Sequence, residues 1–206
     1  MNTAESIIAG RLIAVLRLHD AGYALECAHA VADGGITTIE VTSTVPEFET
    51  VIRRLSARTD LVVGAGTILD RRSAVEAVEA GAQFCASPVT DPRLVEDILR
   101  RGVMAMPGAL SPTEIAYAHS LGAAIVKVFP MPSHGVSYIK AIRGPLPHIP
   151  LAPSGGVTLD TGAPLLHAGS AALNVGSWLT HAKDGELLSI EEVTHRARLL
   201  GTAIRE

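Results

Sequence analysis

Aromatic side chains make up only 3% of this 206-residue chain, although 48% of it is hydrophobic. Its core must therefore come from Ala, Val, Ile and Leu, which suit tightly packed helix–strand layers. Cysteine is scarce: Cys27 and Cys85 stand far apart with no CxxC. That argues against a disulfide framework or a thiolate metal cluster, and a reduced, cytoplasmic setting is expected. A dominant charge is also missing. The net charge is −4, and the arginine pairs Arg53-Arg54, Arg71-Arg72 and Arg100-Arg101 are isolated, so no basic stripe marks a nucleic-acid partner. No uninterrupted apolar run is long enough to span a bilayer. The apolar stretch 7–18 is broken by Arg11 and Arg17 and follows no basic region, so a soluble chain without a targeting segment is expected.

The eight histidines are scattered, with no HxH or HExxH spacing, and no metal is expected. His134 reads as a solvated loop residue. There is no Walker A motif, and Gly64-Ala65-Gly66-Thr67-Ile68-Leu69 lacks the third glycine of a dinucleotide fingerprint. No cofactor is expected.

What the chain does have is alternation. Short β-branched runs fall at 12–17, 37–42, 61–67, 84–88, 103–107, 124–129, 151–154 and 171–176. Amphipathic stretches follow them at about 21–33, 46–57, 70–80, 91–101, 111–121, 137–143, 160–167 and 190–203. Glycines at Gly34-Gly35, Gly81, Gly102, Gly122 and Gly169 sit where helices should stop. Asp70, Asp91 and Ser111 occupy N-cap positions, with Pro92 and Pro112 in the first helical place. Eight such units predict an α/β fold, a (β/α)8 TIM barrel in one domain spanning 1–206 with a short N-terminal helix. A doubly wound open sheet is the structural alternative.

Lysine is also scarce: Lys127, Lys140 and Lys183 are the whole complement. Lys127 lies inside Ala124-Ile125-Val126-Lys127-Val128-Phe129, a run built to be buried. Removal from water disfavours an ammonium relative to its free amine, the form that adds to a carbonyl. The competing reading is a lysine snorkelling from a strand end. Glu40, inside Thr37-Thr38-Ile39-Glu40-Val41-Thr42, is a second charge in a buried run. It suits proton transfer, or an ion pair with Arg17 or Lys127.

In such barrels chemistry sits at the carboxyl ends of the strands. Read in order, those ends include Arg17, Thr67, Pro88, Lys127, Ser154-Gly155-Gly156 and Gly176-Ser177. Arg17 suits a carboxylate or phosphate fork, or a salt bridge at the barrel mouth. Thr67 suits a hydrogen bond to a carboxylate, or a turn. Glycine turns after strands seven and eight allow close backbone approach to a phosphate.

Taken together these segments resemble the 2-keto-3-deoxy-6-phosphogluconate (KDPG) aldolase family, with its bifunctional 4-hydroxy-2-oxoglutarate (KHG) aldolases. The resemblance rests on Ile13–Arg17, Gly34–Thr42, Val63–Thr67, Val126–Pro130, Tyr138–Pro145, Pro153–Gly156 and Gly176–Leu179. It implies a class I aldolase and a cytoplasmic homotrimer that needs no metal. By position, Lys127 would form the Schiff base and Glu40 would move protons. Arg17, Thr67 and Pro88 would line the pyruvyl pocket. Ser154, Gly155, Gly156, Gly176 and Ser177 would hold a phosphate. The implied substrate is a phosphorylated keto acid of the gluconate or galactonate type. Alternatives are an unphosphorylated hydroxy-oxoglutarate, or a catalytically weak phosphate-binding barrel. Two positions depart from the family pattern. Thr44 stands where the main branch has arginine, a place where a sister branch acting on the galactonate analogue also departs, and Ser154 replaces threonine.

Overall fold

The computed structural model describes residues 1–131 and 135–205. A first helix, α1 (Thr3–Gly10), begins at a capping box in which Asn2 and Glu5 satisfy each other's backbone N–H at 2.9 Å. It ends where Arg11 turns left-handed, with φ 60°. Its buried residue, Ile7, turns toward the sheet.

Nine strands follow among the described residues: β1 (Leu12–Leu16), β2 (Thr38–Thr42), β3 (Val62–Gly66), β4 (Phe84–Ala86), β5 (Met104–Met106), β6 (Gly108–Ala109), β7 (Val126–Val128), β8 (Leu151–Pro153) and β9 (Leu173–Val175). Helices α2 (Ala21–Asp33), α3 (Phe48–Ser56), α4 (Arg71–Glu79), α5 (Pro92–Arg100), α6 (Pro112–Ser120), α7 (Gly135–Arg143), α8 (Leu159–His167), α9 (Ser177–Thr180) and α10 (Ile190–Ala203) complete the chain. Asp70, Asp91 and Ser111 cap α4, α5 and α6 as their positions predict, and Gly35, Gly81, Gly102, Gly122 and Gly169 all take positive φ.

Every strand pairing within the sheets is parallel, in a curled six-stranded sheet of order β5-β4-β3-β2-β1-β9 and a three-stranded sheet β6-β7-β8. This is a TIM-like α/β arrangement; where a closed eight-stranded barrel was expected, the strands form two sheets. The run expected as strand five is divided at Pro107. Its nitrogen has no hydrogen to donate, so the ladder to β4 stops there, while its carbonyl accepts from Lys127 N–H at 3.0 Å and the chain transfers to β7. An isolated parallel bridge, Ser154 to Asn174, lies between the ends of β8 and β9.

The strands are buried on both faces, as parallel sheets are when helices cover one side. Strand alternation sorts their side chains into two layers. Leu12, Ala14 and Leu16 join the large layer beneath the helices. Ile13 and Val15 point the other way, into an inner cluster with Ile7, Phe84, Met106, Ile125 and Ala152. The candidate site lies on that inner side.

Candidate active site

Val126 and Val128 belong to the outer apolar layer, so strand alternation turns Lys127 inward. Ile39 and Val41 do the same for Glu40 on β2. The two side chains meet: Lys127 Nζ donates to Glu40 Oε1 at 3.0 Å and Oε2 at 3.2 Å. Their side chains are 7% and 0% exposed. The snorkelling reading of Lys127 therefore fails, and of the two ion-pair partners considered for Glu40 the structure selects Lys127 over Arg17.

Room for the carboxylate comes from the neighbouring strand. A Cβ on Gly66 of β3 would stand 2.0 Å from Glu40 Oε1, so only glycine fits. Desolvating two charges costs several kcal/mol per ion, roughly cancelling their attraction, and an apolar pair would be at least as stable. A buried pair of this kind is better explained by what it does.

Arg17 lies one residue past β1, exposed, and its guanidinium donates to Thr67 Oγ1 at 3.1 Å. Thr67 follows β3 with φ 56°, a strained conformation for a β-branched residue. It is held there by Ser43 Oγ, which donates to the Thr67 carbonyl at 2.8 Å. Thr44 is exposed, its hydroxyl 2.8 Å from that of buried Thr42. Pro88 is half-buried after β4, its carbonyl backbone lying against Gly108.

The two glycine turns converge. Ser154, Gly155, Gly156, Gly176 and Ser177 line one cleft of about 200 Å³ together with Val15, Arg17, Phe129, Val157 and Asn174. Gly155 and Gly156 are exposed with φ of 106° and 68°, presenting backbone that a side chain would block or strain. Val15 is the register partner of Glu40, and Phe129 follows Lys127 by two residues, so the cleft borders the ion pair. Thr67 and Pro88 do not line this cleft, whereas Arg17 sits among the turns expected to hold phosphate. Asn174 was missed by sequence reasoning. Its signal was the one that singled out Lys127 and Glu40, a polar residue inside an apolar run.

Other chemistry is poorly supplied. Burial pushes the Cys85 thiol up to about 12 and the Cys27 thiol up to about 11, so neither is a ready thiolate. Among the described residues no group of three or more His, Cys, Asp or Glu is placed to hold a metal ion. No helix among them is long and apolar enough to cross a membrane. His134 lies outside the described residues.

A buried amine held by a carboxylate beside a glycine-lined cleft is an arrangement suited to covalent chemistry on a carbonyl. Comparison with known proteins agrees: the model of the KDPG and KHG aldolase family matches residues 4–195. The chain belongs to that family. A 2-dehydro-3-deoxy-phosphogluconate aldolase of Pseudomonas aeruginosa is 38% identical over 158 residues, 76% of this chain and 72% of that one. A solved "native KDPGal" structure superposes with a TM-score of 0.86 at 29% identity, over 94% of each chain. A KDPG aldolase of Legionella pneumophila, solved with pyruvate captured as a covalent carbinolamine, gives a TM-score of 0.81 at 25% identity over 99% of this chain and 97% of that one.

Proposed function

We propose that this aldolase, a lyase, cleaves a 2-keto-3-deoxy-6-phospho sugar acid of the gluconate or galactonate type to pyruvate and glyceraldehyde 3-phosphate. The observation that carries the reading is the buried bidentate pair of Lys127 and Glu40. Glu40 accepts the ammonium proton, and the free Lys127 amine adds to the C2 ketone as a carbinolamine. Loss of water, with Glu40 as acid, leaves an iminium. Glu40 then takes the proton of the C4 hydroxyl, the C3–C4 bond breaks, and its electron pair moves through C2 to the iminium nitrogen. The aldehyde departs and an enamine remains. Protonation at C3 by Glu40, then hydrolysis, releases pyruvate and restores the amine. One carboxyl can serve each step because every proton moves within a few atoms of C2.

Arg17 and Thr67 are assigned the substrate carboxylate, with Pro88 as a wall of the pyruvyl pocket. Ser154, Gly155, Gly156, Gly176 and Ser177 are assigned the phosphate. Arg17 lies between the two groups, in the cleft and bonded to Thr67, and its fork suits either anion. With Thr44 uncharged, no second arginine competes for the carboxylate from that loop.

We further infer that the two sheets close into one (β/α)8 barrel forming a single domain. The Ser154–Asn174 bridge and the Ala171 N–H donating to the Leu151 carbonyl at 2.8 Å support closure between β8 and β9. Continuity through Pro107 supports it on the other side. Exposed Leu69, Val89 and Leu110, each just past a strand end, support a homotrimer that covers this rim. Light scattering giving a monomer mass would remove that part.

The test of function is pyruvate release from the phosphorylated gluconate and galactonate acids and from 4-hydroxy-2-oxoglutarate. A kcat/KM at least ~10²-fold higher for a phosphorylated acid is expected, as charge-assisted hydrogen bonds to phosphate imply. Equal or better turnover of the unphosphorylated acid would make the glycine turns irrelevant to the substrate.

A further inference from the structure

Asn174 is 1% exposed in the centre of β9. Its neighbours Leu173 and Val175 belong to the outer apolar layer, and its register partner is Ile13 of the inner cluster, so alternation turns the carboxamide inward. Nδ2 donates to the Ala152 carbonyl at 3.1 Å and, more weakly, to the Pro153 carbonyl at 3.4 Å. Two carbonyls can face only the amide nitrogen, which settles which way the carboxamide points. The oxygen then faces away from β8, and no donor among the described residues reaches it.

A buried acceptor without a donor is disfavoured, and native chains keep one where a donor arrives with function. Asn174 lines the same cleft as Arg17, Gly155, Gly156 and Ser177, and its oxygen, shielded from solvent in this structure, is the polar atom it has left to offer a group that enters there. A carboxamide oxygen only accepts. It is therefore unsuited to phosphate or carboxylate oxygens and suited to a hydroxyl. Between a ketone at Lys127 and a phosphate at the glycine turns, the proposed substrate carries two hydroxyls. Glu40 takes the proton of the one on C4, which leaves the one on C5.

We propose that Asn174 Oδ1 accepts a hydrogen bond from the C5 hydroxyl, the C2 hydroxyl of the aldehyde product, and so selects hydroxylated aldehyde phosphates. The inference rests on the aldolase reading above and deepens it by naming a residue that reads the aldehyde half.

The test runs the reaction toward condensation. Pyruvate is offered with glyceraldehyde 3-phosphate or with 3-oxopropyl phosphate, which lacks the hydroxyl, to the wild type, Asn174→Ala and Asn174→Ser. The serine keeps a small polar side chain at this position while removing the carboxamide oxygen. Borohydride trapping of pyruvate on Lys127 shows which proteins keep the pyruvyl end assembled. The wild type should prefer the hydroxylated aldehyde in kcat/KM by about tenfold or more, as a site built around a substrate hydroxyl does. Variants that trap pyruvate should bring the preference within about threefold of unity, the loss falling on the hydroxylated aldehyde. A uniform fall with both aldehydes would mean a structural role and would overturn the proposal. So would a wild type that does not discriminate, an outcome that needs no variant to fold. A wild type that traps pyruvate yet condenses neither aldehyde removes the aldolase reading itself, and this inference with it.

Discussion

The end of this site proposed for the keto acid and the end proposed for the phosphate are made of different materials. At the first, two ionisable side chains project from the middle of β7 and β2, each locked by ladders on both sides, and meet at 3.0 Å with almost no exposure. At the second, exposed backbone at Gly155 and Gly156 and a surface serine, Ser177, form an open wall. Bond-making chemistry needs reacting atoms held within a fraction of an ångström, and strands supply that better than loops. Anion binding needs only oriented N–H groups and tolerates adjustment. The contrast implies that substitutions at the strand end should destroy turnover, whereas those at the loop end should shift affinity.

The largest effect should come from Lys127→Met. Turnover should fall by ~10⁴-fold or more as the nucleophile is lost. Stability should drop by about 3–5 kcal/mol, because Glu40 is left buried and unpaired. Adding Glu40→Leu should recover most of the stability and none of the activity, read by urea unfolding. A single variant as stable as the parent would mean that the pair is not desolvated. Next comes Gly66→Ala, whose new methyl must displace the Glu40 carboxylate from 2.0 Å. Its kcat should fall by about 10²-fold, as far as for Glu40→Gln, the usual scale of a lost general acid/base.

At the loop end, Gly156→Ala meets no steric contact, only the strain of φ 68°. A left-handed alanine costs roughly 1–2 kcal/mol, so KM for the phosphorylated acid should rise by about tenfold with kcat nearly unchanged. A kcat loss matching that of Gly66→Ala would erase the distinction between the two ends.

The smallest effect concerns pH and lies outside both ends. Burial raises Cys27 from the ordinary 9.0 to about 11 and Cys85 from 9.0 to about 12. The unfolded chain therefore releases these protons first. The stabilising contribution is complete below pH 9 and declines as pH rises from there toward 11 and 12. Half-buried Tyr23, also shifted upward, acts in the same direction. The urea midpoint should be lower at about pH 10.5 than at about pH 8.5, on either side of the ordinary thiol value of 9.0. An unchanged midpoint would mean that the thiols are not held neutral by burial.

How much of this was legible in the sequence depends on what kind of contact placed each residue. Lys127 and Glu40 announced themselves as charges within apolar runs, and alternation alone turned them inward. Asn174 carried the same signal in the last strand. It was passed over because an uncharged amide satisfies itself more easily in a core, and its half-satisfied state is visible only in three dimensions. Arg17 was readable as an anion fork, but its company was not. It meets Ser177 and the glycine turns because β1 pairs with β9, a contact between opposite ends of the chain. Gly66 stood out only as part of an incomplete dinucleotide fingerprint, yet its role is to leave space for a side chain on the next strand. Pro107 divides the fifth strand because its missing N–H falls where the ladder changes partner, a register that local periodicity does not carry.

The most direct measurement is reductive trapping. The protein is incubated with pyruvate and sodium borohydride, digested, and the added mass is located by mass spectrometry. Covalent chemistry at the buried amine predicts one modified residue, Lys127. No adduct, or an adduct confined to Lys140 or Lys183, would contradict it.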